Sequence, residues 1–121
     1  MTATPPLQEL RELAARVEAA TEAEQYQTLA DAAYAIWGDE ADAADKAAFW
    51  NRATRFVAMM RAGAFESAAL MLIGDEWWSV EREPCGPAYF ASVGSDEIRR
   101  CATPALALTA AYLRAAQAGE P

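Results

Sequence analysis

The 121-residue chain is 54 % apolar and sets 18 acidic side chains against 10 basic ones, a net charge of −8, with two cysteines and no histidine. A chain of this length can bury a core of its own, so residues 1–121 read as one domain. The missing histidine removes the commonest general base, the Ser–His and Cys–His nucleophile pairs and most transition-metal sites.

Cys85 and Cys101 have no zinc-type spacing and are expected as reduced thiols. No apolar run approaches the roughly 18 residues of a membrane span. Met1-Thr2-Ala3-Thr4-Pro5-Pro6 lacks the basic and then apolar pattern of a signal peptide, so the cytoplasm is the expected location. Residues 1–45 hold ten carboxylates against Arg11 and Arg16, whereas residues 46–121 balance eight acids with eight bases. An acidic first half repels phosphate backbones, which argues against direct nucleic-acid binding. The small basic group Arg52, Arg55 and Arg61 has no interleaved aromatic platform to offset that.

In chain order, Leu7, Leu10, Leu13, Ala14 and Val17 fall at helical spacing behind Pro5 and Pro6, with Thr4 as a cap. Thr21-Glu22-Ala23-Glu24 has the form of a capping box and opens a second helix. Its inward face reads as Tyr26, Leu29, Ala30, Ala33, Ile36 and Trp37, and Gly38 stops it. Asp42 or Asp45 then caps a third helix with the stripe Phe49, Trp50, Ala53, Phe56, Val57 and Met60, ended by Gly63. A short helix runs from about Phe65 to Leu72 and stops near Gly74, closing a helical part over residues 5–73.

The apolar period then changes from 3.6 to 2, predicting a β-hairpin over residues 76–93. Trp78 and Val80 oppose Trp77 and Ser79; Tyr89, Ala91 and Val93 oppose Ala88, Phe90 and Ser92, on either side of the turn Glu83-Pro84-Cys85-Gly86-Pro87. After a loop at 94–97, Thr103 caps and Pro104 opens a last helix over 103–118, with Ala105, Leu108, Tyr112 and Leu113 on one side. The fold class is therefore α+β, helices packed on a small antiparallel sheet as a layered sandwich. Both hairpin faces carry large aromatics and need cover, from helices on both sides or from helices on one side and a partner on the other.

Three strings carry a resemblance: Leu10-Arg11-Glu12-Leu13-Ala14-Ala15-Arg16-Val17-Glu18-Ala19-Ala20-Thr21, Ser67-Ala68-Ala69-Leu70-Met71-Leu72-Ile73-Gly74-Asp75-Glu76-Trp77, and Ala102-Thr103-Pro104-Ala105-Leu106-Ala107-Leu108. In this order they resemble the phage ABA-sandwich domain family of small phage and prophage proteins, over nearly the whole chain and least in residues 38–62. Gly74-Asp75-Glu76 stands where that family tends to have Pro-Glu-Gly, and Ser67 where it tends to have Asp. The resemblance implies an α+β sandwich from a phage or prophage genome, hence a host-cell cytoplasm, and no catalytic residues.

Trp77, Trp78, Tyr89 and Phe90 are the candidate protein-interface residues, because Trp and Tyr are favoured at interfaces. The competing expectation is that one ring of each pair enters the core and the other lies under a helix. Glu22, Glu24, Asp31, Asp39, Glu40, Asp42 and Asp45 form the candidate acidic surface. Its loop lacks the mid-loop glycine and terminal bidentate Glu of a calcium site, so it reads as solvated and helix-capping. Cys85 reads as an incidental turn residue between Glu81, Arg82 and Glu83. No cofactor, metal or catalytic constellation is expected. The expected function is a non-enzymatic phage or prophage accessory protein that binds another protein. Its alternatives are an inhibitor of a host defence or nucleic-acid-binding complex through the acidic 1–45 surface, and a self-associating assembly component.

Overall fold

The computed structural model of the chain describes residues 7–95 and 97–118, apart from the side chains of Asp42 and Ala118. The proposed cap Thr4 and the prolines Pro5 and Pro6 lie outside the described residues. Helix α1 (Leu7–Ala19) leads through a 3-10 turn (Glu22–Glu24) into α2 (Gln25–Trp37), and a second 3-10 turn (Glu40–Asp42) leads into α3 (Lys46–Arg61). Helix α4 (Phe65–Ile73), strands β1 (Trp78–Arg82), β2 (Tyr89–Val93) and β3 (Arg99–Cys101), and helix α5 (Pro104–Ala118) complete the order. The helices pack against a three-stranded antiparallel sheet in the order β1-β2-β3.

Local chemistry accounts for most boundaries. The Glu24 carboxylate accepts from the Thr21 amide at 2.9 Å and from its hydroxyl at 3.0 Å, holding the chain reversal before α2. The Gly38 amide, at φ 75°, donates to Tyr34 and ends α2. Of the two proposed caps for α3, Asp45 does the work, accepting from the Ala48 amide at 3.0 Å. At the other end Ala64 donates to the Met59 carbonyl and Gly63 to that of Met60, a Schellman closure that needs the positive φ of Gly63. Thr103 Oγ1 accepts from the Leu106 amide at 3.1 Å and caps α5.

The core is organised around α5. Ala105, Leu106, Ala107, Leu108, Thr109, Ala110, Ala111 and Leu113 are all buried, so this helix is enclosed on every side rather than along one stripe. Its alanines let α1, α4 and the sheet approach closely, which is how an alanine-rich chain still makes a dense interior. Thr109, fully buried, satisfies its hydroxyl on the Ala105 carbonyl at 2.8 Å. Leu10, Leu13, Ala14 and Val17 of α1, Leu29, Ala32 and Ala33 of α2, and Ala68, Ala69, Leu72 and Ile73 of α4 pack into the same core.

Several expectations need correction. Of the expected inward face of α2, Leu29 and Ala33 are buried and Ile36 and Trp37 pack half-buried against the core, joined by Gln25, Thr28 and Ala32; Tyr26 turns outward and meets Phe65 edge-on at 6.2 Å. In α3 Phe56 and Met60 are buried and Phe49 and Ala53 half-buried, while Trp50 and Val57 are exposed, so only part of the expected stripe enters the core. The sheet has a third strand, β3, where the sequence read as the approach to the last helix. The first strand starts at Trp78, not at residue 76.

Candidate interaction surface

The register fixes where each hairpin side chain can point. Trp78 pairs with Val93, Val80 with Ala91 and Arg82 with Tyr89, while Tyr89 and Ala91 pair with Cys101 and Arg99. Paired residues share a face, so these line the side that α5 covers. The opposite face carries Ser79 with Ser92, and Glu81, Phe90 and Arg100 in one row. On that face the Ser79 and Ser92 hydroxyls bond each other at 2.9 Å. The sheet thus has helices on one side only among the described residues.

The four aromatic candidates do not form one platform. Trp78 and Tyr89 belong to the helix side; Trp77, one residue ahead of β1, has the parity of the outer side, with Phe90. Trp77 and Trp78 lie at the end of the hairpin far from its turn, whereas Tyr89 and Phe90 lie next to the turn. The expectation that one ring of each pair would be buried fails for the tryptophans: Trp77 is 62 % and Trp78 41 % exposed. Val93, the partner of Trp78 at that end, is buried in the core, so the exposure belongs to the edge strand β1. Tyr89 and Phe90 are half-buried. Ile98, just ahead of β3, is a further exposed apolar side chain at 62 %; a lone Ile in a polar loop was its only sequence signal.

The hairpin turn is built by Glu83. Its amide donates to the Ala88 carbonyl at 2.8 Å, and its carboxylate accepts from the Ala88 amide and from Arg100 at 3.1 Å. Gly86 makes room for this, since a Cβ there would meet the Glu83 carboxylate at 2.6 Å. Cys85 is exposed in the turn.

A second apolar surface lies between α2 and α3, which sequence reasoning missed by turning the whole α3 stripe inward. Tyr34, Trp37, Phe49, Ala53 and Val57 line an open groove of about 260 Å³. Trp37 packs edge-on against Phe56 at 5.2 Å and carries the Arg52 guanidinium 4.5 Å above its ring.

Much of the acidic surface has intramolecular work. Asp31 is held by Arg16 at 2.6 Å, which keeps its carboxyl below the usual range, and also by Gln27. Glu24 serves Thr21, Asp39 caps the second 3-10 turn and Asp45 caps α3. Glu22 is exposed and Glu40 half-buried; the Asp42 side chain lies outside the described residues.

One ionic cluster was not foreseen. Glu18 of α1 accepts from Arg114 of α5 through both oxygens, at 2.9 and 2.6 Å, and Arg99 of β3 approaches it at 3.6 Å. The Arg114 hydrogen bonds hold the Glu18 carboxyl below its ordinary value, against partial desolvation. Beside it, burial and then the Glu18 charge push the Cys101 thiol up to about 12. The cluster ties three elements together and offers no free base or nucleophile at neutral pH. Among the described residues no group of three or more acidic, Cys or His side chains could hold a metal ion, and no helix is long and apolar enough to cross a membrane.

Compared with known proteins, the chain matches no family model, no curated protein and no solved structure.

Proposed function

We propose that this chain is a non-enzymatic binding module that engages another protein through the end of the sheet bearing Trp77 and Trp78. The observation behind this reading is the exposure of two adjacent indoles, 62 % and 41 %, at the end of the sheet away from the hairpin turn. Large aromatics left in water at a sheet margin have the composition of an interface core. The resemblance to the phage ABA-sandwich proteins makes a phage or prophage product in a host cytoplasm the expected setting. The alternative, inhibition of a host complex by acidic mimicry, is less well supported, since Glu24, Asp31, Asp39 and Asp45 spend oxygens on caps and on Arg16.

The test is affinity capture on the immobilised wild-type chain, the Trp77→Ser/Trp78→Ser variant and a Trp50→Ser control, from host lysate to which a tagged free copy of the chain has been added. A protein held in stoichiometric amount by the wild type and the control, and lost by the double variant, is the expected result. Retention by the double variant would sink the proposal. Loss of binding with rising salt instead would move the site to the acidic half.

A further inference from the structure

We propose that β1 is a two-fold interface through which a second copy of this chain adds its own β1, making one six-stranded antiparallel sheet. This rests on the reading above, that the Trp77–Trp78 end of the sheet binds protein, and names the partner. The argument starts from backbone polarity. The Gly94 amide donates to the Trp77 carbonyl and the Glu83 amide to the Ala88 carbonyl, each at 2.8 Å. In an antiparallel ladder such bonded pairs recur at every second residue, so Ser79 and Glu81 also direct their backbone groups toward β2. The N–H and C=O groups of Trp78, Val80 and Arg82 therefore face away from the sheet, along an edge that no strand covers among the described residues.

The other edge is different. β3 is three residues long and two of them are Arg99 and Arg100, a short, like-charged margin of the kind that resists strand addition. β1 has five residues, no proline, glycine or lysine, and one charge of each sign.

The β1 sequence is complementary to itself. With the two-fold axis through Val80, Val80 faces its copy, Trp78 faces Arg82 and Ser79 faces Glu81. All three outward residues then bond, six hydrogen bonds in total, and each Arg82 lies beside an indole. Moving the axis to Glu81 sets two carboxylates directly opposite and loses bonds. Moving it to Ser79 leaves Arg82 paired outside the strand. Only the Val80 register uses the whole strand with no like charges opposed. A heterologous strand could add to the same edge, and it would be recognised as such by the measurements that follow.

The experiment is sedimentation equilibrium of the whole chain, wild type and Val80→Pro, with helical circular dichroism as the check on folding. Proline at 80 removes only an outward N–H, at the position on the axis. The expected result is a mass of two chains for the wild type and one for the folded variant. If Val80→Pro does not fold, Arg82→Pro, at an exposed position, decides in its place. Register is read in a Cys85→Ser background by oxidising a mixture of Ser79→Cys and Glu81→Cys chains, which should form the mixed disulfide in preference to either self-pair. A wild type that stays monomeric up to about 1 mM overturns the proposal, since a weaker Kd would hold no functional dimer. So does a dimer that persists in the folded proline variant. A lysate protein still captured by the monomeric proline variant and lost with Trp77→Ser/Trp78→Ser would retain the binding-module reading while overturning the second copy as the occupant.

Discussion

Replacing Glu18 with Gln should be the most informative change to the folded state, because one carboxylate joins α1, β3 and α5 across 96 residues of chain. Two charge-assisted bonds to Arg114, at 2.9 and 2.6 Å, would be lost or weakened, and Arg99 would lose one of its two neighbouring anions, keeping Glu97. Fully buried bonds of this kind contribute roughly 1.5–3 kcal/mol each; exposed ion pairs contribute about 0.2–1 kcal/mol. Glu18 and Arg114 keep 24 % and 22 % of their side-chain surface, so solvent screens part of the interaction. The Arg99 Nε, buried and with no hydrogen-bond partner, leaves Arg99 dependent on Glu97 alone once the Glu18 charge is gone. We expect a loss of about 2 kcal/mol at neutral pH, read as a urea midpoint lower by about 1 M. The pH dependence adds a second constraint. Arg114 lowers the folded Glu18 pKa below its ordinary 4.5, so its contribution is complete above that value and is lost as pH falls through the folded pKa. Wild type and Glu18→Gln should therefore converge on acidification. A difference under about 0.5 kcal/mol at neutral pH, or one that stays constant down to about pH 3, would refute the assignment.

Leu108→Ala, at a fully buried position of α5, should cost about 3 kcal/mol in denaturant unfolding, whereas Ile98→Ser, 62 % exposed, should stay within about 0.5 kcal/mol. Gly63→Ala adds a Cβ that meets nothing within 4 Å but must adopt φ 76°, so thermal unfolding should report a loss of about 1 kcal/mol from backbone strain alone, with Gly63→Asn milder. Thiol titration with a disulfide reagent at mildly alkaline pH should find one reactive group in the native chain, Cys85, and two after denaturation. The Cys101 thiol is buried and pushed up to about 12.

Local chemistry in the sequence determined the element boundaries. The Thr21–Glu24 reversal, the Asp45 and Thr103 caps and the stops at Gly38, Gly63 and Gly74 each depend on atoms within a few residues, and each is in place. The change of period at Trp77 marked the hairpin, because alternation is a property of the strand itself. Tertiary structure decided the rest. Periodicity names an apolar face but not what covers it, so Trp50 and Val57, at core spacing in α3, end in solvent while α5 is enclosed all round. β3 is a strand because β2 offers its free edge, a partner supplied by the fold and not by Arg99-Arg100-Cys101. Glu18 and Arg114 find each other only when α1 is laid against α5. The exposure of Trp77 and Trp78 follows from their place at the edge strand of the sheet: Val93, across from Trp78 on the central strand, is buried while Trp78 is not, a matter of strand order that no local pattern encodes.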